Sequence, residues 1–385
     1  MKIAFFVHDF HLEIGHSNAM IEVLNNFPKE SIEEIVVVAY STSPLPDLLP
    51  NFKGKTRFIR IPCTWLKPFL LRNLNYQVLS FIYTFLFLNK NYHKIGIGTA
   101  ALHVDTTYVQ FIHHQWKEEY LKSQRYSLLR YVYKWVLYNY FCLCENFQYS
   151  RKKIKFVSIA NFLTKFIQEQ WKVEAERVET IYSGINLERF KLPSGNREEL
   201  FEKLLKKYPV LSVIDPSRPI FLFVGAYERK GLQEALTFLE KEKGTQIIVV
   251  GEPENKNHFF FPNTLTVAKI SYTSEIPSFY ALADCFIFPS KYEPFGLVII
   301  EAVAMGMTVL VNRKNVGASE ILDELDDIFF LDELSAPPLD KIRVLSAESK
   351  ANIRETRLDR LSQYEWANAS KSFYPFLEKL VFNEK

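Results

Sequence analysis

Cysteine is scarce. Four residues in 385, Cys63, Cys142, Cys144 and Cys285, do not make a disulfide framework, and no metal-ligand spacing surrounds them. They read as reduced, structural thiols of a cytosolic protein. Long apolar runs are missing too: the longest uncharged one, Val78 to Leu88, has 11 residues, and a bilayer-spanning helix needs about 20. The opening MKIAFFVHDF offers only five apolar residues before His8 and Asp9. That is too short for a secretory signal core and suits a buried first strand, so the mature chain is expected to keep its N-terminus. A Walker loop, a GxGxxG fingerprint and a residue set for Ser-His-Asp chemistry are absent. Asp-x-Asp occurs nowhere, which suits phosphate charge met by side-chain cations and a helix terminus, with no metal and no cofactor. No helix-turn-helix, zinc-finger or RNP pattern appears, so nucleic acid is not an expected partner.

What is present is a globular composition, 48% hydrophobic and 24% charged, in a chain long enough for two domains of roughly 150 to 200 residues. Short β-rich apolar runs alternate with helical patterns. The first series of strands is expected at Ile3 to Val7, Ile35 to Ala39, Arg57 to Ile61, Lys94 to Ile97, Tyr108 to Ile112 and Lys155 to Ile159. A second series follows at Ile220 to Val224, Gln246 to Val250, Leu265 to Lys269, Cys285 to Phe288 and Thr308 to Val311. Near-continuous hydrophobic runs joined by helix-length crossovers predict parallel sheets, and two such series predict two doubly wound α/β domains. The expected division is 1–183 and 184–363, with a C-terminal helix over 364–385 returning to the first domain through Trp366, Phe373, Phe376, Leu377 and Leu380.

Charge is uneven. From Asn51 to Lys155 there are 17 Lys and Arg against four Asp and Glu, so 17 − 4 = +13, and the rest of the +3 chain carries 3 − 13 = −10. Aromatics are interleaved with those cations. The pattern reads equally as a surface for anionic lipid headgroups or phosphorylated acceptors, and as amphipathic helices with a solvated basic face.

In open parallel sheets, ligands bind beyond the carboxyl ends of the strands. The strand FLFVG ends at Gly225 and leads into AYERKG, where Arg229 and Lys230 precede a helix; two cations at such a turn are suited to clamping a diphosphate. The stretch CFIFPSKYEPFGLVIIEAVAMG reads as strand, turn and helix. The N–H groups of Gly296, Leu297 and Val298 lie in the first helical turn and can take a phosphate oxygen, with Phe295 just before them. Glu301 lies one turn on, displaced by roughly 6 Å along the helix, which is about the step from a diphosphate to its ribose. Glu293 precedes the helix, on the far side, where it would meet the group attached to the distal phosphate. The base is expected near Lys269 to Tyr272, Ile270 included.

These elements together, EPFGLVIIE, FVGAYERKG, VGASEIL and ADCFIFPSKYEPFG, resemble the GT4 family of retaining glycosyltransferases of GT-B architecture, in which two Rossmann-like doubly wound domains face a deep cleft. The likeness spans most of the C-terminal half and continues loosely into the N-terminal half. Its RKG turn is most similar to lipopolysaccharide-core glucosyltransferases. The resemblance implies that Arg229 and Lys230 hold the donor diphosphate, Glu301 the ribose and Glu293 the sugar hydroxyls. It also implies that His113, in YVQFIHHQW read as a strand end, stands near the reacting centre. Two departures stand out: Ala226 occupies the place of an arginine common after FVG, leaving that role to Arg229 or to no residue, and a paired-glycine loop is reduced to Gly15. Gly15 and His16, with His113, form the expected acceptor side, and His8 and His11 ring the same strand end. The implied enzyme is a hexosyltransferase using a nucleotide-diphosphate sugar, UDP-sugar favoured, and a saccharide or glycolipid acceptor. It would be cytoplasmic and peripheral on an anionic inner membrane through residues 51–155. A nucleotide-sugar epimerase of the same fold and a non-catalytic sugar-nucleotide-binding protein remain alternatives.

Overall fold

The structure, a computed structural model, describes residues 1–62, 65–88, 91–123, 127–252 and 259–383. It divides into two compact units, Met1–Gly184 with Trp366–Lys385, and Ile185–Glu365.

The first unit is built on β1 (Lys2–Phe6), β3 (Glu34–Ala39), β5 (Thr56–Arg60), β6 (Tyr92–Ile97), β7 (Thr106–Val109), β8 (Lys155–Ser158) and β9 (Val178–Thr180). Two two-residue strands, β2 (Asp9–Phe10) and β4 (Ser41–Thr42), pair beside them. The seven-stranded sheet has the order β5-β3-β1-β6-β7-β8-β9, all parallel. Its central strands are mostly buried, which is why they read as near-continuous apolar runs. The chain reverses its winding between β1 and β6, and that is where such a sheet opens a crevice. The helix Trp366–Asn383 belongs to this unit, with Phe373 against Phe27 (6.0 Å between ring centroids) and stacked on Tyr108 (5.5 Å).

Strand β7 stops at Val109, short of the expected Ile112. The Ile112 carbonyl already accepts the Trp116 N–H at 3.2 Å, the first bond of a helix, so it cannot extend a ladder. His113 therefore opens the helix His113–Ser123 and does not end a strand.

The second unit holds β10 (Ile220–Val224), β11 (Gln246–Val250), β12 (Thr266–Ile270), β13 (Cys285–Phe288), β14 (Thr308–Val311) and β15 (Ile328–Phe330). The order is β12-β11-β10-β13-β14-β15, again wholly parallel, with the reversal between β10 and β13. Edge strands β9 and β15 have three residues each, too few for a periodic pattern to reveal.

Two buried cations from the helix Ala347–Ser362 pin this sheet's helices. Lys350 Nζ donates to the carbonyls of Tyr280 (3.0 Å), Ala281 (2.6 Å) and Ala283 at the end of the helix Ile276–Leu282. Arg357 donates to Val303 (3.2 Å) and Met307 (2.8 Å) at the end of Leu297–Ala304. Both satisfy carbonyls that a helix leaves without partners. Burial lowers Lys350 to a pKa of about 7, and the nearby Asp284 opposes the shift.

Cys142, Cys144 and Cys285 are buried free thiols; Cys63 lies outside the described residues.

Candidate functional site

In the second unit, the winding reversal brings together two strand ends distant in sequence. After β10 the chain turns at Gly225, runs through the short helix Tyr227–Lys230 and turns again at Gly231. The neighbouring strand β11 ends at Gly251, where a Cβ would stand 2.1 Å from the Gly225 carbonyl oxygen; the two turns fit only because that position has no side chain. After β13, the segment Pro289–Gly296 leads to the helix Leu297–Ala304.

Lys230 and Glu293, one from each strand end, form a salt bridge between Nζ and Oε2, and both are buried. Lys230 Nζ also lies over the Phe288 ring, 5.2 Å from its centroid. The two were expected on different parts of a ligand; here they meet directly. Glu293 is held by its backbone: its N–H donates to Asn315 O (2.8 Å) and its carbonyl accepts from Gly317 N–H (3.0 Å). VGASEIL thus serves as a brace for the Glu293 turn, with Ala318 N–H donating to Phe295 O at 2.7 Å.

Gly296 is the N-cap of the following helix at φ 96°, a left-handed conformation; a Cβ there would lie 2.7 Å from Ile299 Cδ1 and 3.0 Å from Glu293 Cγ. No side chain caps this helix, and Leu297 and Val298 are half-buried in its first turn. Glu301 is half-buried and accepts from Tyr280 Oη at 3.0 Å. Burial raises Glu301 to about 7, against the lowering effect of Tyr280 and the Arg189 charge. Arg229 is half-buried, and its carbonyl accepts from Ser290 Oγ at 3.3 Å. Ile270, expected near the base, is buried at the end of β12, its carbonyl bonded to Gly251 N–H at 2.9 Å, and so lies at the same sheet end.

In the first unit, Gly15 begins the helix Gly15–Asn25 with no side-chain cap, and space for a Cβ is open. His16 is exposed, and its carbonyl accepts from Gln110 Nε2 at 3.1 Å. His11 is engaged between Ser43 Oγ (2.8 Å) and Ser41 Oγ (2.9 Å). His8 packs edge-on to Tyr76 (4.8 Å) and beside Tyr40 (6.1 Å), and burial lowers its pKa to about 4. Asp9 pairs with Arg72 at 3.1 Å. His113 and His114 share a buried acid, Glu145, on the helix Leu128–Ser150. Glu145 and Tyr280 were not found by sequence reasoning: each sits inside a helical pattern with no local motif, and only its partner across the fold gives it a role.

Solved structures with this fold include WaaG, a glycosyltransferase involved in lipopolysaccharide biosynthesis. Its TM-score is 0.67 at 16% identity, over 99% of this chain and 98% of that one. Anabaena Alr3699/HepE in complex with UDP and glucose gives 0.62 at 14% identity, over 98% and 99%. The chain therefore has the GT-B type of fold, two Rossmann-like α/β units. Residues 207–337, which contain Lys230 and Glu293, match the family Glycosyl transferases group 1. A lipopolysaccharide 1,2-N-acetylglucosaminetransferase of Salmonella typhimurium is 26% identical over 57% of this chain and 60% of its own. The capsular polysaccharide biosynthesis glycosyltransferase CapM of Staphylococcus aureus is 29% identical over 34% and 35%. The matches thus span about a third to three fifths of these curated relatives.

Proposed function

We propose that the protein is a retaining glycosyltransferase that moves a hexosyl group from a nucleotide-diphosphate sugar, UDP-sugar favoured, to a saccharide or lipid-linked glycan in envelope or surface-glycan synthesis. The Lys230–Glu293 pair, buried where β10 and β13 part, carries the reading. An ammonium held there has further N–H donors for a diphosphate, and its carboxylate partner can accept from sugar hydroxyls. Arg229 adds a second cation and Gly296–Val298 a helix terminus. Glu301, which accepts from Tyr280 one turn further on, would take the ribose diol. As the C1–O bond breaks, negative charge grows on the leaving diphosphate; cations and amides aimed at it lower the barrier without a metal. Front-face attack, with the departing phosphate taking the acceptor proton, suits a site with no second carboxylate assigned as nucleophile. The names of the relatives support transfer to envelope glycans, one of them being the N,N'-diacetylbacillosaminyl-diphospho-undecaprenol alpha-1,3-N-acetylgalactosaminyltransferase of Campylobacter jejuni. These three relatives are all named as transferases.

Acceptor-dependent UDP release tests this directly: release that rises with a glycan acceptor supports transfer, and isomerised donor sugar would replace it with epimerisation. A thermal-shift series with UDP-, GDP- and ADP-sugars identifies the base, since a ligand bound only by the folded state raises the melting temperature.

The acceptor side is proposed to sit against an anionic membrane surface. Among the described residues no helix is long and apolar enough to cross a membrane. The helices Phe69–Phe87 and Leu128–Ser150, joined through Tyr140 Oη to Gln77 Oε1 (2.5 Å), nevertheless expose Phe85 (84%), Leu128 (77%) and Leu129 (85%). Apolar anchors of this kind amid a stretch of net charge +13 suit partial insertion between acidic headgroups.

A further inference from the structure

Glu145 is 1% exposed, in the middle of a helix that the chain has otherwise filled with aromatic and aliphatic residues. A buried carboxylate is costly unless every lone pair finds a donor. This one has four donors. Oε1 accepts the His113 backbone N–H at 2.5 Å and the His113 ring Nδ1–H at 2.9 Å. Oε2 accepts the His114 backbone N–H at 3.1 Å and the His114 ring Nδ1–H at 2.6 Å. The carboxylate thereby caps the helix His113–Ser123 from outside, in place of a local Ser or Asp. Burial would raise its pKa, but the bonds from His113 and His114 prevail and hold it below the ordinary carboxylate range.

A carboxylate only accepts, so a ring nitrogen this close must carry the hydrogen. A neutral imidazole with hydrogen on Nδ1 has its lone pair on Nε2. We propose that Glu145 is a positioning residue: it locks His113 and His114 as Nδ1–H tautomers, so that His113 presents Nε2 as an acceptor for a substrate hydroxyl. Ring packing reinforces the orientation, since His113 stacks on Phe141 at 4.2 Å and His114 stands edge-on to Trp171 at 5.0 Å. The part played by His113 rests on the transferase reading above; the tautomer does not.

Metal binding is the competing use of this cluster, because His114, Cys142 and Glu145 offer ligand atoms within 4.8 Å of one another. Two observations weigh against it. The carboxylate's acceptor positions are already filled by N–H groups. Burial, with Glu145 adding to it, pushes the Cys142 thiol up to about 12, away from the thiolate a metal requires.

The experiment is long-range proton–nitrogen correlation on the full chain labelled with nitrogen-15 histidine, at a pH where the rings are neutral, with His113 and His114 assigned by single substitution. Nδ1–H patterns for both rings are expected. An Nε2–H pattern at either, or stoichiometric zinc in the purified protein, overturns the proposal, and this wild-type measurement does not depend on any variant folding. In Glu145→Gln the carboxamide NH2 faces donors, and at least one ring should change tautomer. Its kcat should fall about ten- to a hundredfold with little change in KM for the donor, as when an orienting partner of a histidine is lost. In a His113→Ala background the same substitution should cost less than twofold; losses that instead multiply would show a purely structural residue and sink the proposal. If His113→Ala leaves transfer untouched, the role of His113 fails while the spectrum still decides the tautomers.

Discussion

The two sheets are wound alike yet furnished differently at their reversals. In the second unit the strand ends carry buried charge of both signs, Lys230 against Glu293, with Glu301 one helical turn away. In the first unit they carry His8 boxed by Tyr40 and Tyr76, an Asp9–Arg72 pair, and helices that leave large apolar side chains exposed. The difference teaches that one topology supplies the crevice while the residues at its rim choose the guest. In the proposed reading, the buried opposite charges meet a pyrophosphate, and the histidines and apolar basic surface of the first unit meet a hydroxylated acceptor.

The sharpest way to break the comparison is to remove charge from the second unit. Lys230→Ala or Arg229→Ala should lower kcat/KM by about 10²- to 10³-fold, that is, about 2.7–4 kcal/mol of transition-state stabilisation, measured as donor-dependent transfer. Replacing both members of the pair, Lys230→Met with Glu293→Met, should lose transfer while melting closer to wild type than Glu293→Ala does, because a lone buried ammonium costs more than no pair at all. If transfer persists in these variants, the diphosphate lies elsewhere.

The first unit's face is next. Phe85→Glu with Leu129→Glu should weaken co-sedimentation with anionic vesicles about tenfold or more, since each anchor contributes roughly 1.5–3 kcal/mol when fully buried. Transfer to a water-soluble acceptor should be unchanged. Equal binding to neutral and anionic vesicles at low salt would contradict the electrostatic half of the reading.

Gly296→Ala should destabilise the second unit by about 1–3 kcal/mol in denaturant melts and disturb Glu293, because the residue at φ 96° would acquire a Cβ against Glu293 Cγ. The smallest expected effect is the pH dependence of Glu301. Its pKa of about 7 lies above the ordinary 4.5, so between those values the folded state keeps a proton that the unfolded state has released, and stability falls as pH rises through that window. A ribose diol donates to the ionised form, so UDP affinity should rise a few-fold from pH 6 to pH 8. Glu301→Gln should flatten both profiles, in calorimetric titration and in melting.

Much of this was legible beforehand. Parallel strands announced themselves as unbroken apolar runs, and the strand-end rule selected Lys230 and Glu293 because each follows a buried strand closely. The start of the helix at His113 was not legible, since QFIHH is as apolar and β-prone as the strand before it. What decides that boundary is Glu145, 32 residues away, taking the first helical N–H groups. Lys350 was equally hidden: in the polar helix Ala347–Ser362 it looks like a solvated cation, and only the fold turns it onto three carbonyl groups.

By itself the amino-acid sequence determined two doubly wound units and a turn bearing one glutamate, because hydrophobic periodicity and short-range turn chemistry are local properties. Which charges became partners was left to the tertiary structure. Lys230 meets Glu293, and Glu145 meets two histidines, only after parallel strands bring remote chain ends together and exclude water. A carboxylate or ammonium withdrawn from solvent must then take whichever donor or acceptor the packing places beside it.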